Sequence, residues 1–209
     1  MTQDRIPVVF LGGKVTVPSV NYVSSDSELG TRMALEHLIQ LGHRRIAMVC
    51  DYKTSASRSK KLNIYRQVMR ELGEKERIFN GTENGMSNLE SGYHLGKQLL
   101  ASDEDITAVF AVKDMMAIGV MQAIQEAGKR IPEDIAVVGY DGINAAALPM
   151  IQLTSVSQPR MEMAEVILNI LDRHAEDPSL PAEHYLAQPK LIIRGSTDGK
   201  TRIGKTKQG

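Results

Sequence analysis

The sequence has a single cysteine, Cys50, so no internal disulfide can form. It lacks any apolar run approaching the roughly 18 residues that mark a membrane-spanning helix. Its opening stretch, residues 1–13, has neither a basic segment nor a long apolar core and does not read as a signal peptide. These absences point to the cytoplasm. An excess of one charge is missing too, because 25 Lys and Arg balance 25 Asp and Glu. A domain that grips nucleic acid by itself usually carries a basic excess, since neutralised phosphates supply much of the affinity. The one basic cluster, Lys200, Arg202, Lys205 and Lys207, lies in the C-terminal tail and reads as a frayed end.

Catalytic signatures are also absent. Gly12-Gly13-Lys14 has neither the spacing of a phosphate-binding loop nor a helix after it. No G-x-S-x-G turn occurs. The histidines at 37, 43, 94, 174 and 184 have no close ligand spacing, and His37 and His43 read as capping or packing residues rather than metal ligands. Cys50 closes an apolar run and reads as packing. The chain is therefore expected to be a non-enzymatic protein without metal or cofactor.

What the sequence does contain is alternation. Short apolar runs at Val8–Leu11, Val20–Val23, Arg45–Cys50, Arg77–Asn80, Thr107–Val112, Ile135–Tyr140 and Leu191–Arg194 read as strands. Between them lie amphipathic patterns. Asp26 can cap a helix running to Leu41 that stops at Gly42. Further helices are expected over 57–72, 88–101 and 114–127, and from Pro159 to His174. With 209 residues, 42% of them apolar, the chain can bury a sizeable core. This spacing of strands and helices predicts an α/β fold with a doubly wound parallel sheet.

Ligands of such sheets sit beyond the carboxyl ends of the strands. Cys50 is followed there by Asp51, Val112 by Lys113 and Asp114, and Tyr140 by Asp141 and Gly142. A carboxylate in that place can accept two hydrogen bonds from a polyol. Asp114 precedes a helix and reads first as its N-cap, Asp51 as a loop carboxylate, and Asp141-Gly142 equally well as a turn or a ligand contact.

Four motifs follow one another in order. They are Gly30-Thr31-Arg32-Met33-Ala34-Leu35-Glu36-His37-Leu38-Ile39-Gln40-Leu41-Gly42-His43-Arg44-Arg45-Ile46-Ala47, then Asp114-Met115-Met116-Ala117-Ile118-Gly119, then Ile131-Pro132-Glu133-Asp134-Ile135-Ala136-Val137-Val138-Gly139-Tyr140-Asp141, and last Leu153-Thr154-Ser155-Val156 with Gln158-Pro159. Together they closely resemble the lac-repressor-type (LacI) family of transcription regulators over roughly residues 7–197. The resemblance implies a core like that of type I periplasmic binding proteins, with two α/β lobes joined by three crossings near Ser25, Gln158-Pro159 and Gln188-Pro189. Residues 25–158 and 189–197 would form the C-terminal lobe. An incomplete N-terminal lobe would keep 1–24 and 159–188, and 198–209 would be a flexible tail. Intact members place a helix-turn-helix headpiece and two further strand–helix units ahead of the position of Ile6. The remnant lobe is thus expected to hold two strands, one helix and a return segment, and to be mobile, rearranged or covered by an oligomer contact.

The resemblance also implies a function. A small polar effector, a sugar or sugar phosphate, would bind between the lobes of a homodimer and alter their closure, while operator DNA is reached only through the headpiece. Asp141 matches the aspartate that binds effector hydroxyls, and Gln158 a cleft glutamine at a crossing. Lys61 stands where many members have arginine, Lys113 where asparagine is common, and Ser87 near a stacking aromatic. Ser25, at the first crossing, completes the expected binding set. The two lysines favour an anionic ligand. Arg58-Ser59-Lys60-Lys61-Leu62 is similar to a stretch of catabolite control protein A, a relative that answers to a protein corepressor, which is one alternative. An exported sugar-binding protein of the same fold is another.

The balanced charge predicts that the chain by itself forms no specific complex with duplex DNA. A gel shift at low salt with operator-like fragments checks this, and a specific, salt-resistant band would contradict it.

Overall fold

The computed structural model describes residues 6–12, 18–51, 56–81, 86–102 and 104–198. Gly13, Lys14 and the basic tail lie outside them. Local sequence sets the helices. Asp26 precedes α1 (Ser27–Gln40) and accepts from the backbone N–H groups of Glu28 and Leu29 at 3.1 and 2.9 Å. α2 (Ala56–Glu71) stops just before Gly73, which takes a positive φ. Ser87 and Glu90 close a capping box on α3 (Asn88–Ala101). α4 (Asp114–Glu126) ends ahead of Gly128, again at positive φ, and α5 (Arg160–Glu176) starts directly after Pro159.

The strands sort into two sheets. β1 (Val9–Leu11), β2 (Asn21–Ser25) and β8 (His184–Ala187) make a small parallel sheet in that order. β3 (Ile46–Cys50), β4 (Ile78–Asn80), β5 (Ala108–Ala111), β6 (Ala136–Asp141), β7 (Thr154–Ser157) and β9 (Lys190–Ile192) make a larger one in the order β4-β3-β5-β6-β7-β9. Every pair is parallel except β7–β9. β3 and β5 are buried along their whole length, as a sheet covered on both faces requires. Right-handed crossovers place α2, which leads outward to β4, opposite α3 and α4, which lead back toward β6. The second helix pair packs backbone to backbone. Gly92 lies on the Met116 carbonyl and Gly119 on the Leu89 carbonyl, and a Cβ at either position would overlap the neighbouring backbone.

Three features depart from expectation. β7 does not read as a strand because its residues are Thr-Ser-Val-Ser, yet Thr154 and Ser155 are fully buried. Partners remote in sequence satisfy them: Thr154 bonds the Thr197 hydroxyl and the Arg194 carbonyl, and Ser155 donates to Asp114. β8 lies within the expected return segment, so the small sheet has three strands instead of two. The last strand runs antiparallel because the chain re-enters the large sheet directly from β8, with no helical crossover to turn it round.

The small lobe remains thin. Val23, Met163, Ile170 and Ala187 form its buried centre, while the large lobe is built around Leu35, Met48, Phe110, Val138 and many others. Ile6 and Val8 ahead of β1 and Phe10 and Leu11 within it are 85, 55, 51 and 66% exposed, and the outer edge of β1 pairs with no strand among the described residues. Hydrogen exchange is expected to be fast in β1, β2, β8 and α5 and slow in β3, β5 and β6. Equal protection of both sets in a monomer would mean that the small lobe is stable in its own right.

Candidate functional site

The carboxyl ends of β3, β5, β6 and β7 point one way and surround a hollow of about 320 Å³. Its walls include Asp51, Arg58, Lys61, Lys113, Asp141 and Gln158. Four of the five expected binding residues thus meet at one place. Lys61 and Arg58 project from the first turns of α2, one helical turn apart. Lys113 stands at the N-cap of α4 without capping it through its side chain. Asp141 ends β6 at φ 125°, a strained value for a residue other than glycine.

The charged groups are already engaged with one another. Lys113 Nζ meets Asp51 Oδ2 at 2.5 Å and Asn88 Oδ1 at 3.2 Å. Arg58 lies 3.9 Å from Asp51 and donates to Asn80 Oδ1 at 2.8 Å. Lys61, 6% exposed, donates to the Val112 carbonyl at 3.0 Å and sits 3.3 Å above the centre of the Tyr140 ring. Burial pulls its pKa down to about 8, with Asp141 opposing the shift. Burial raises the pKa of Asp141, and Lys61 works against that. Asp141 accepts from Gln158 Nε2 at 3.0 Å. Three cations thus face two carboxylates. Both lysines expected to meet an anion already have partners in the protein, Lys113 in Asp51 and Lys61 in a ring and a carbonyl. The same groups present paired donors and acceptors, which suit the hydroxyls of a neutral polyol.

Ser25 stands apart from these four. It lines an adjoining hollow of about 380 Å³ between the lobes, together with Ser24, Tyr140, Arg160, Met163 and Ile167. Ser57 and Gln158 border both hollows. Arg160, on the small-lobe helix, donates to the Gly142 carbonyl at 2.8 Å and so ties the second crossing to the turn beside Asp141.

Several sequence expectations need correction. Asp114 is not an N-cap. It is fully buried, takes the Ser155 hydroxyl and the Ile143 N–H, and has its pKa raised by burial against those bonds. Asp51 is a pocket carboxylate, not a plain loop residue, and its place directly after β3 is the signal that could have marked it. Ser87 caps α3 and does not line the hollow. Arg58, Tyr140 and Arg160 were not anticipated. His37 meets Thr197 at 2.9 Å, His43 meets Thr107 at 3.1 Å, and His184 stacks on Tyr22. Among the described residues no helix is long and apolar enough to cross a membrane.

Comparison with known proteins gives consistent matches. The model of the periplasmic binding protein-like domain matches residues 35–197. The ribose operon repressor of Escherichia coli (strain K12) is 32% identical over 192 residues, covering 91% of this chain and 58% of the repressor. The HTH-type transcriptional regulator CelR of Thermobifida fusca is 32% identical over 199 residues, covering 94% of this chain and 58% of CelR. Among solved structures, a LacI family transcriptional regulator from Enterococcus faecium with bound ribose superposes with a TM-score of 0.80 at 26% identity, covering 91% of this chain and 70% of that one. The chain therefore spans little more than half the length of these curated relatives.

Asp141→Ala is expected to weaken binding of any polyol held in the first hollow by roughly ten- to a hundredfold, the usual cost of losing a hydrogen bond to a charged group. Titration calorimetry with a sugar that stabilises the unsubstituted protein reads this directly. Unchanged affinity would reduce Asp141 to a turn residue.

Proposed function

The chain belongs to the periplasmic binding protein-like family of LacI-type regulators, and from that premise we propose that it is the effector-sensing core of a transcription regulator whose effector is a neutral sugar. One observation carries the reading. Asp51, Asp141, Lys61, Lys113 and Gln158 converge on a single hollow at the strand ends, with Lys113 paired to Asp51 and Asp141 held by Gln158. Such a site offers a sugar several hydrogen bonds to ionised groups whose charges partly offset one another. Asp141 accepts from ligand hydroxyls, Lys61 and Lys113 donate to ligand oxygens, and Gln158 passes between Asp141 and the ligand. Ser25 borders the part of the ligand nearest the crossings. The relatives whose names mention ribose, and the structure holding it, agree with this choice of ligand class.

In this reading the lobes divide at Ser25, at Gln158-Pro159 and at Gln188-Pro189. Residues 1–24 and 159–188 form one lobe, and 25–158 with 189–197 the other. Occupation of the hollow changes how far the lobes close, and in the homodimer that change alters the geometry presented to operator DNA. DNA contact belongs to a headpiece outside these residues. No reacting group is needed for any of this, and the protein acts as a switch instead of an enzyme.

Thermal-shift measurement with ribose, glucose, cellobiose and ribose 5-phosphate tests the proposal. A neutral sugar at a hundredfold excess over its Kd should add about 2.7 kcal/mol of stability. For a chain of this size that corresponds to roughly 5–10 °C in Tm. Ribose 5-phosphate should give less, because its phosphate must break the Lys113–Asp51 pair. Stabilisation by the phosphate alone would restore the anionic reading, and no response to any sugar would overturn the assignment.

A further inference from the structure

The first hollow is lined from one side of the molecule only. Asp51, Arg58, Lys61, Lys113, Asp141 and Gln158 belong to the large sheet and its connections, and no described residue of β1, β2, α5 or β8 lines it. The adjoining hollow of about 380 Å³ is built differently. Leu11, at the end of β1, and Met163, Ala164 and Ile167, on α5, give it an apolar wall from the small-sheet side. Ile167 lies three and four residues beyond Ala164 and Met163, so these three share one stripe of the helix. Leu11 and Ala164 are exposed, so this wall is open and not folded away into the small lobe. The large-sheet side adds hydroxyls: Ser25 at the first crossing, Ser27 at the start of α1 and Ser57 in the first turn of α2. None of the described residues around this hollow is a carboxylate. Its two cations are engaged elsewhere, Lys60 with Glu28 at 3.6 Å and Arg160 with the Gly142 carbonyl. Ser57 and Gln158 border both hollows, and Tyr140 lines the second while its ring carries Lys61 of the first.

The two linings suit different parts of one molecule. Ionised donors and acceptors in the first hollow match sugar hydroxyls. In the second, a further sugar ring would lay hydroxyls against the apolar wall, where they find no partner. We propose that the effector is a glycoside with an aromatic aglycone, its sugar in the first hollow and its aromatic ring in the second against Leu11, Ala164 and Ile167. The proposal rests on the reading of the first hollow as the effector site. A flat ring buries its apolar faces along the α5 stripe and turns a polar edge toward the serines. At about 320 and 380 Å³ each hollow alone stands near the lower end of the range usual for small-molecule sites, and joined they take a ligand larger than one monosaccharide. The division also gives occupancy a route to both lobes. A ligand shifts a conformational equilibrium only through contacts that differ between the states. Among the described residues, a sugar confined to the first hollow touches the large lobe alone. The aglycone makes the contact with the small lobe, so the sugar supplies recognition and the aglycone supplies closure.

Titration calorimetry on the whole 209-residue chain tests this with matched methyl and 4-nitrophenyl glycosides of glucose, galactose, xylose and ribose. For the sugar that binds best, the aryl glycoside should bind roughly ten- to a hundredfold tighter than the methyl one, from the apolar area its ring buries. Ala164→Gln places a polar side chain on the apolar wall while keeping a good helix former, and Leu11→Ser removes the wall on β1. Both positions are exposed, so the fold has little at stake. Each variant should cut the aryl preference by about threefold or more and leave the methyl glycoside as it was. Hydrogen exchange in α5 should slow with the aryl glycoside and not with the methyl one. Equal affinity for the two glycosides, or an aryl preference that survives both substitutions, would overturn the bipartite ligand and leave the sugar site standing. An aryl glycoside whose affinity ignores Asp141→Ala does not place its sugar in the first hollow, and that result would overturn the proposal together with the effector reading. No binding by any of these compounds would overturn both as well.

Discussion

The pocket depends on a carboxylate that never meets water. Asp114 is fully buried at the start of α4, where an ionised group survives only if its oxygens are satisfied. They are satisfied by the loop that follows Asp141. The Ile143 N–H donates to one oxygen directly, and the Gly142 N–H donates to the Ser155 hydroxyl, which donates to the other. One side chain thereby ties a helix start, the end of β6 and the centre of β7. Asp141 itself sits at a φ that the local chain would not choose, and it is held there because Gly142 and Ile143 are fixed from behind. If Asp114 lost its partners, an uncompensated charge would be left in the core and the pocket carboxylate would lose its support.

A second consequence concerns charge. The pocket gathers ionised side chains from β3, α2, α4 and β6, yet these largely cancel within a few ångströms. Cancelled charges differ from absent ones. Each partner remains a strong donor or acceptor, and a ligand hydroxyl can insert between them without leaving a bare ion behind. The mutual pairing also keeps the long lysine side chains in place before a ligand arrives, which lowers the ordering cost of binding. Burial then shifts Lys61 and Asp141 toward their neutral forms, as expected where desolvation competes with a nearby opposite charge.

Much of the fold is legible along the chain because its signals are local. Asp26 caps α1 through its own neighbours, Gly73 and Gly128 end helices through their backbone freedom, and the apolar runs of β3, β5 and β6 announce strands buried on both faces. β7 and β8 are missed for the opposite reason. Thr154 and Ser155 look like surface residues until Asp114, Arg194 and Thr197 arrive from positions about forty residues away in sequence. The antiparallel return of β9 likewise depends on how the chain leaves the small sheet, which no periodicity records.

The sequence by itself determined the helices and most of the strands, the layered architecture and the short list of pocket residues at strand ends, because strand–helix alternation and the rule for open parallel sheets need only local pattern. It could not decide what those residues do to one another. Whether Lys113 is free or paired depends on Asp51 reaching it from the end of the neighbouring strand, and whether Asp114 caps a helix or anchors a loop depends on Ser155. Tyr140 reads as one more apolar residue of β6 until Lys61 and Gly30 close around it. These are properties of distance between residues remote in the chain. Coulombic and hydrogen-bond energies depend on that distance and on burial, and only the tertiary structure sets either.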